Sequence, residues 1–283
     1  MKNLKYYLQK AQKEGWAVGQ FNFSTLEQLK GILIAAGELK SPVILGTSEG
    51  ESRFVGIEEA VALVKVFRQK IHPALFLNLD HGRDLSYLKM VANLGYAAVH
   101  FDGSDLDFKE NIRLTREIAD YCRRKGVLIE GEIGTVKGSS ELHPEEAVIS
   151  GTDLTQPEEA EKFVRETKSD SLAIAIGNIH GIYETMPGLD YGRLKEIRKR
   201  VKAFLVFHGG SGFLPAAIKA VINCGVVKVN INTELRTAWK SAIEMGLTLQ
   251  REVKPYKILA EVPAAIQKIV AEKINIFGSA NKI

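Results

Sequence analysis

Short runs of apolar and β-branched residues recur along the chain, each about seven residues long and almost continuous in apolar character. Parallel strands have this composition when helices cover both faces of their sheet. The pattern therefore predicts eight strands, at Ala17–Phe23, Pro42–Ser48, Ala74–Asp80, Ala97–Gly103, Val127–Gly134, Ser171–Gly177, Ala203–Gly210 and Val226–Asn232.

Between these runs, apolar positions repeat about every 3.6 residues and charged residues take the other side, as in amphipathic helices. This periodicity predicts helices at Leu26–Glu38, Ile57–Lys70, Leu85–Leu94, Phe108–Lys125, Pro157–Thr167, Tyr191–Val201 and Leu214–Asn223. The strands start about 30 residues apart, which is the length of one strand–helix unit. From about Thr233 onward the pattern is helical, and we expect this part to close the fold or to form an oligomer contact.

The strict alternation of strands and helices predicts an α/β fold, a single (β/α)8 TIM barrel with a helical C-terminal extension. An open doubly wound sheet with a small second domain is the alternative. A nucleotide-binding sheet of that kind carries a Gly-rich turn after its first strand, whereas this chain has Asn-Phe-Ser-Thr at 22–25. No Pro- or Ser-rich linker interrupts the chain, so residues 1–283 are expected to form one domain. The long segment 135–155 after the fifth strand is predicted to be a functional lid.

Composition and charge narrow the possible partners. The 283 residues are 45% hydrophobic and 25% charged, as in ordinary globular proteins. The net charge of +4 is spread along the chain without a basic stripe, so no nucleic-acid partner is expected. Neither Cys122 nor Cys224 lies in a C-x-x-C pair, which indicates a reducing compartment, the cytoplasm. No apolar segment approaches the length of a membrane span, so no membrane partner is expected.

Polar residues collect at the predicted carboxyl ends of the strands, where barrel enzymes carry their active sites. Three of the six histidines lie there, His81, His180 and His208. A single histidine at such a place is commonly structural, but three imidazoles with carboxylates nearby match the ligand set of a catalytic Zn²⁺. The other three histidines are interpreted as structural or solvated: His72, His100 and His143.

A phosphate site is predicted beside these histidines. The run His-Gly-Gly-Ser-Gly at 208–212 leads from the seventh strand into a helix. Its glycines allow a close approach of the backbone, and its N–H groups and Ser211 suit a phosphate at a helix N-terminus. A plain strand-to-helix turn is the alternative, but Asn232 and Thr233 at the end of the neighbouring strand favour phosphate. Two more polar strand ends are expected to contact the substrate: Asn22 and Ser48.

At these residues the sequence resembles the class II, metal-dependent ketose-bisphosphate aldolases, which include the fructose- and tagatose-bisphosphate aldolases. The resemblance runs nearly end to end and is carried by motifs in a fixed order. These motifs are Ala-Val-Gly-Gln-Phe-Asn at 17–22, Leu-Asp-His-Gly at 79–82, Ile-Glu-Gly-Glu-Ile-Gly at 129–134, His-Gly-Ile-Tyr at 180–183, His-Gly-Gly-Ser-Gly at 208–212, Lys-Val-Asn-Ile-Asn-Thr-Glu at 228–234 and Phe-Gly-Ser-Ala-Asn at 277–281.

The resemblance implies a metal centre and an acid/base. The implied Zn²⁺ ligands are His81, His180 and His208. A second metal position is implied at Asp102 and Glu132. Asp80 would exchange a proton with the aldehyde-derived oxygen, and Asn230 would contact the ketone end of the substrate.

The resemblance also implies the substrate class. The reaction would be the reversible cleavage of a ketose bisphosphate, fructose 1,6-bisphosphate by default, to dihydroxyacetone phosphate and glyceraldehyde 3-phosphate. The residues implied to bind the phosphate of dihydroxyacetone phosphate, beside a monovalent cation, are Gly181, Gly209, Gly210, Ser211, Asn232 and Thr233. A homo-oligomer, dimer or tetramer, is implied as well.

The chain departs from the family pattern in its lid and at its C-terminal end. Members carry a Glu in the lid that moves a proton on the dihydroxyacetone phosphate carbon, whereas Ser140 stands at that position here. Glu141 is next to it and is our candidate for that role. Glu184 stands where a Lys is common, and Asn78 replaces a frequent His.

Members also hold the distal phosphate with a late Arg, and this chain has no Arg after Arg251. Lysines lack the bidentate fork of Arg but are candidate replacements. The candidates are Lys257, Lys268 and Lys273.

Several functions therefore stay open at this stage. One alternative is a tagatose-bisphosphate aldolase or a related sugar-phosphate aldolase. Another is a non-catalytic aldolase-like subunit that stabilises a partner, and a third is a zinc barrel that isomerises a phosphosugar. Lys228 has the strand parity of Asn230 and Asn232. We interpret it as a partner within that polar face and not as a Schiff-base nucleophile.

Overall fold

The computed structural model describes residues 2–72, 74–250 and 253–283, with side chains described up to residue 248 in the second range. Its strands are β1 Val18–Asn22, β2 Val43–Ser48, β3 Leu75–Gly82, β4 Ala98–Phe101, β5 Leu128–Ile133, β6 Gly138–His143, β7 Ser171–Ile174, β8 His180–Tyr183, β9 Phe204–Phe207 and β10 Val226–Ile231. A closed parallel barrel is formed by β1 to β5 with β7, β9 and β10, while β6 and β8 form a separate two-stranded sheet. The predicted TIM barrel is confirmed.

The helices of the described residues alternate with these strands. They are α1 Leu4–Glu14, α2 Leu26–Glu38, α3 Glu49–Val55, α4 Ile57–Lys70, α5 Leu85–Leu94, α6 Phe108–Lys125, α7 Pro157–Thr167, α8 Tyr191–Arg200, α9 Pro215–Asn223, α10 Thr233–Gln250, α11 Pro255–Ile258 and α12 Val262–Phe277, with a short 3-10 turn at Gly151–Asp153. The seven helices predicted between the strands agree with these bounds to within one residue. The helices α1 and α3 were not predicted.

Helix α1 closes the amino-terminal end of the barrel. Its Leu4, Tyr7, Leu8 and Ala11 repeat at helical spacing and are buried, and Asn3 caps the first turn by accepting the N–H of Tyr6. These side chains pack in one apolar cluster with strand residues such as Ile44, Phe76 and Phe204. This end of the barrel is therefore sealed, which leaves the carboxyl ends of the strands as the open mouth.

Helix α12 closes the side of the barrel. This agrees with one of the two expectations for the C-terminal extension, that it closes the fold. It packs against α2, where a side chain on Gly31 would overlap Ile266 and the carbonyl of Pro263. The ring of Phe277 at its end stacks on Phe21 of β1, with 6.5 Å between the centroids. No helix in the part of the chain that the structure describes has the length and apolar character needed to cross a membrane.

Candidate active site

The mouth of the barrel holds a cavity of about 410 Å³, a size suited to a small molecule. Strand ends, the lid and the first turn of α10 line it. The predicted site residues that reach this cavity are Asn22, Ser48, Asp80, His81, Asp102, Glu132, His180, His208, Gly209, Ser211, Asn230, Asn232 and Thr233. Three others do not line it: Gly181, Gly210 and Glu141.

The three strand-end histidines come together in this cavity. The ring of His81 lies 4.7 Å from that of His208 and 4.8 Å from that of His180, measured between centroids. The rings of His180 and His208 are 6.1 Å apart. His81 has a φ of 50°, a left-handed conformation that residues other than Gly, Asn and Asp rarely adopt, and such strain is concentrated at functional sites.

Each of these rings has one nitrogen held by an oxygen behind it. Nδ1 of His81 lies 3.0 Å from Oδ2 of Asp102, and Nε2 of His208 lies 2.7 Å from Oε1 of Glu130. Nδ1 of His180 lies 3.2 Å from the carbonyl oxygen of Val136. Metal-binding imidazoles are oriented by such outer contacts, which leave the other ring nitrogen for the metal. Nε2 of His81 and Nδ1 of His208 are left facing each other at 3.0 Å.

The donor atoms fall into two overlapping groups among the described residues. Asp80, His81, His100 and His208 offer ligand atoms that all lie within 4.8 Å of one another, and so do His81, Asp102 and Glu132. Oε2 of Glu132 is buried without a hydrogen-bond partner, although Nε2 of His100 lies 3.1 Å away in an unsuitable orientation. These donor atoms fit a divalent cation, although the predicted ligand His180 is in neither group. His100 lies among the donors, whereas it was expected to be structural or solvated.

The site also carries excess negative charge. Its carboxylates are those of Asp80, Asp102, Glu130 and Glu132, all nearly buried. Nζ of Lys228 donates to Oε2 of Glu130 at 2.6 Å, and Arg83 approaches Asp102 to 3.4 Å from the surface. With neutral imidazoles, the four carboxylates carry more charge than Lys228 and Arg83 compensate, and Arg83 is shared with Asp105 at 2.8 Å, so the site favours a cation.

The imidazoles differ in their affinity for protons. Burial lowers the pKa of His81, but the carboxylates of Asp80 and Asp102 outweigh it and raise that pKa to about 10. Burial and the charge of His81 lower the pKa of His180 to about 3. His180 is therefore neutral at physiological pH, whereas His81 must lose a proton to bind a metal.

Asp80 lies at the centre of the cavity, fixed by two amides. Asn22 donates to its Oδ2 at 3.0 Å, and Asn230 donates to its Oδ1 at 3.1 Å. Asn22 is oriented by Gln20, whose Nε2 donates to Oδ1 of Asn22, and Gln20 in turn accepts from Asn78. Burial raises the pKa of Asp80, but the charges of His81, His208 and Lys228 outweigh it and hold that pKa below its usual range. Asp80 is thus an oriented carboxylate.

The loop after β9 and the start of α10 form the predicted phosphate site. Gly209 has a φ of 63°, and a Cβ there would overlap the carbonyl oxygen of Ile179. Oγ of Ser211 accepts the N–H of Glu234 at 3.4 Å, so its own proton is free to point into the cavity. The N-terminus of α10 adds the positive end of a helix dipole at Thr233.

The two other predicted phosphate glycines, Gly181 and Gly210, do not line the cavity. The N–H of Gly210 donates to the carbonyl oxygen of Asn230 at 3.0 Å and so points away from the cavity. Gly181 faces the lid, where a Cβ would overlap the ring of His143 and the carbonyl oxygen of Ser139. Both glycines allow close packing around the site and do not line the cavity.

The lid contains the strand β6, which pairs in parallel with β8 and so lies beside His180. Lys137 is joined to Asp153 at 2.7 Å, and this ion pair holds the start of the lid. Ser139 and Ser140 line the cavity, whereas Glu141 does not line it, is exposed and accepts a hydrogen bond from Ser139 at 3.3 Å. The structure therefore does not bring Glu141 to the position that its predicted role requires.

Sequence reasoning missed Arg236, one of three cationic residues that line the cavity, with Arg83 and Lys137. Arg236, in the first turns of α10, lines it, donates to Oε1 of Glu51 at 2.8 Å and lies 3.4 Å from the carbonyl oxygen of Ser140. The three lysines proposed instead do not line it, and Lys273 is buried against Glu234 at 2.8 Å. Arg251 lies outside the described residues. The signal that could have found Arg236 is its place three residues after the predicted phosphate ligand Thr233, about one helical turn further on.

Comparison with known proteins shows which family and which solved structures this chain is similar to. Residues 2–282 match the protein family described as fructose-bisphosphate aldolase class-II. The crystal structure of the YdjI aldolase from Escherichia coli K12 is 32% identical, with a TM-score of 0.86, and the match covers 100% of this chain and 99% of that chain. Fructose-bisphosphate aldolase from Campylobacter jejuni is 21% identical, with a TM-score of 0.82 and coverage of 99% and 95%, and shows the same fold.

Proposed function

The chain belongs to the class II fructose-bisphosphate aldolase family and is therefore a carbon–carbon lyase, and we propose that it is a Zn²⁺-dependent ketose-bisphosphate aldolase. The default substrate is fructose 1,6-bisphosphate, an intermediate of glycolysis, cleaved to dihydroxyacetone phosphate and glyceraldehyde 3-phosphate. Tagatose 1,6-bisphosphate and a related sugar phosphate are the alternatives. The convergence of three imidazoles, each held from behind by an oxygen, carries the proposal.

His81, His180 and His208 would hold the metal, with Asp102 and Glu132 as a second position. When bound, Zn²⁺ supplies a Lewis acid that stabilises the negative charge on the substrate's carbonyl and neighbouring hydroxyl oxygens. Chelator treatment followed by Zn²⁺ return tests this assignment. We expect activity to disappear and then to be restored, and His208→Ala to remove both metal and turnover. Full activity in the chelated protein would contradict the proposal.

Asp80 would move the proton in the cleavage step. The bond between C3 and C4 breaks, its electron pair stays on C3 beside the carbonyl, and the C4 hydroxyl becomes the aldehyde as its proton passes to Asp80. Asn22 and Asn230 donate to the two oxygens of Asp80, which fixes the carboxylate in one orientation for that transfer. Asp80→Asn should therefore lower kcat strongly while metal content stays near that of the wild type.

The phosphate of the dihydroxyacetone phosphate half would bind at the end of β9 and the start of α10. Ser211, Gly209 and Thr233 line the cavity there, and Asn232 beside them is tied to Glu51 at 3.3 Å. A monovalent cation beside this phosphate stays part of the proposal. Activity assayed with K⁺ or Na⁺ replaced by a large organic cation tests that part.

Arg236 is our candidate for the distal end of the substrate, since it lines the cavity beside the lid, where its guanidinium lies 3.4 Å from the carbonyl oxygen of Ser140. If Arg236 binds a distal phosphate, Arg236→Leu should reduce kcat/KM for the 1,6-bisphosphates far more than for a ketose 1-phosphate. Arg116→Leu, at an exposed position on α6, is the matched control. If kcat/KM falls equally for both substrates, the role of Arg236 is instead to hold Glu51 in place.

A non-catalytic subunit is the second candidate function, and the lid favours it. Within the lid strand, the side chains that line the cavity are the hydroxyls of Ser139 and Ser140, while Glu141 is exposed and does not line it. A chain of this kind would cleave no substrate by itself but would raise the activity of a partner aldolase. A panel of ketose phosphates with the purified chain alone decides between the two functions.

The remaining expectations belong to the same proposal. We expect a cytoplasmic homo-oligomer, a dimer or tetramer, in which residues 1–283 form one domain, with no nucleic-acid or membrane partner. Both cysteines are free thiols in the structure, Cys122 buried and Cys224 half-buried. Light scattering of the purified protein measures the oligomeric state.

A further inference from the structure

His100 lies on β4 beneath the metal site and is fully buried. Its ring is 4.8 Å from the rings of both His81 and His208, measured between centroids. We propose that His100 is a positioning residue, which fixes the metal ligand His81 by accepting the backbone N–H of that residue. The inference rests on the proposed metal site and adds a residue to it.

The backbone at His81 needs such a partner. The pairing of β3 with β4 shifts register between Leu79 and Gly82, so the regular strand ladder is interrupted at His81. The N–H of His81 instead donates to Nδ1 of His100 at 3.1 Å. A buried N–H without an acceptor is costly, and His81 is also in the left-handed region with a φ of 50°. The imidazole of His100 therefore stabilises the backbone conformation that aims His81 into the site.

The same contact argues that His100 is not itself a metal ligand. The lone pair of its Nδ1 is used by the N–H of His81, which leaves the ring proton on Nε2. Nε2 lies 3.1 Å from Oε2 of Glu132. A neutral imidazole with one nitrogen accepting and the other protonated has no lone pair left for a metal.

The test compares three substitutions of His100 with a matched control. His100→Asn keeps an acceptor close to the position of Nδ1, because Oδ1 of Asn is also two bonds from Cβ. His100→Gln places its polar group near Nε2, and His100→Leu removes both. The control is His72→Leu, since His72 is a buried histidine away from the site whose Nδ1 also accepts a backbone N–H, that of Ala74 at 3.2 Å.

The measurements are the Zn²⁺ Kd, from competition with a chromophoric chelator, and the visible spectrum of the Co²⁺-loaded protein. We expect His100→Leu and His100→Gln to weaken Zn²⁺ binding by about 10–100-fold and to change the Co²⁺ spectrum. His100→Asn should stay close to the wild type in both, and so should His72→Leu, whatever its loss of thermal stability. If the leucine variant does not fold, the Asn and Gln variants, both polar and similar in size, carry the comparison.

Two results would overturn the inference alone. One is wild-type affinity in folded His100→Leu or His100→Gln, and the other is a loss in His100→Asn as large as in those variants, which would make the ring a ligand. A wild-type chain that takes up no Zn²⁺ would instead overturn the proposed function, and the inference with it.

Discussion

The ion pair between Lys228 and Glu130 at the floor of the site makes a strong prediction about stability. Nζ of Lys228 lies 2.6 Å from Oε2 of Glu130, and each side chain is only 4% exposed. The other oxygen of Glu130 is 2.7 Å from Nε2 of His208. Lys228→Met would remove the cation and leave a buried carboxylate with a single partner.

The expected loss follows from burial. Removing one partner of a buried ion pair costs about 3–5 kcal/mol, because the remaining charge is no longer compensated. For a domain of this size, 1 kcal/mol corresponds to about 2–4 °C in Tm. Lys228→Met should therefore lower the Tm of the metal-free protein by roughly 6–20 °C.

Thermal unfolding followed by circular dichroism after chelator treatment is the assay. Lys219→Met, at an exposed position on α9, is the control and should change stability by no more than about 0.5 kcal/mol. The double variant Glu130→Gln with Lys228→Met should regain part of the loss, since a neutral Gln needs no cation. Two results would refute the reasoning. One is a Tm of Lys228→Met equal to that of the Lys219→Met control, and the other is a double variant with a lower Tm than Lys228→Met.

Three further predictions concern the metal, the phosphate loop and the lid. Zn²⁺ binding at pH 7–8 should release about one proton, because His81, with a pKa of about 10, must be deprotonated. The other two ligands are already neutral, since burial lowers the pKa of His180 to about 3 and also lowers that of His208. Calorimetry in buffers of different ionisation enthalpy counts the protons. Below pH 10 the affinity should rise about tenfold per pH unit, and an affinity independent of pH would contradict this. Gly209→Ala should lower both Tm and kcat because its Cβ would overlap the backbone before His180, whereas Gly188→Ala, with open space around it, should change neither. Glu141→Ala should keep at least half of the wild-type kcat, and a loss of tenfold or more would show that the lid moves to bring Glu141 inward.

The order of the barrel elements and the bounds of the helices between the strands could be predicted because each depends on local pattern. Continuous apolar runs and 3.6-residue periodicity placed the seven helices between the strands to within one residue. Helix α3 was not predicted because seven residues are too few to show a helical period. The features of its sequence that indicate a helix are capping residues. Ser48 and Glu51 form a capping box there, and Glu51 then serves the site by accepting from Asn22.

The three histidines at strand ends could be found by residue type and position, whereas His100 could not be interpreted without register. Within a strand, His100 has the parity of Asp102, and that signal was in the sequence. Its meaning depends on the neighbouring strand, because β4 pairs with β5 so that His100 lies opposite Glu130. Register is fixed by packing of the whole barrel, and for this reason the residue was interpreted as structural.

The same reasoning explains the lid. The lid is held at the cavity by the pairing of β6 with β8, about 40 residues further along the chain, and the lid's own composition does not show that pairing. That pairing places a hydroxyl over a cavity that already holds more carboxylate charge than Lys228 and Arg83 compensate. A further carboxylate at this point would be repelled by the carboxylates of the site, and a bound metal would reduce that repulsion. The charge of the barrel floor therefore bears on which residue can stand in the lid above it. That charge comes from residues far from the lid in the sequence, so the lid segment alone does not show it.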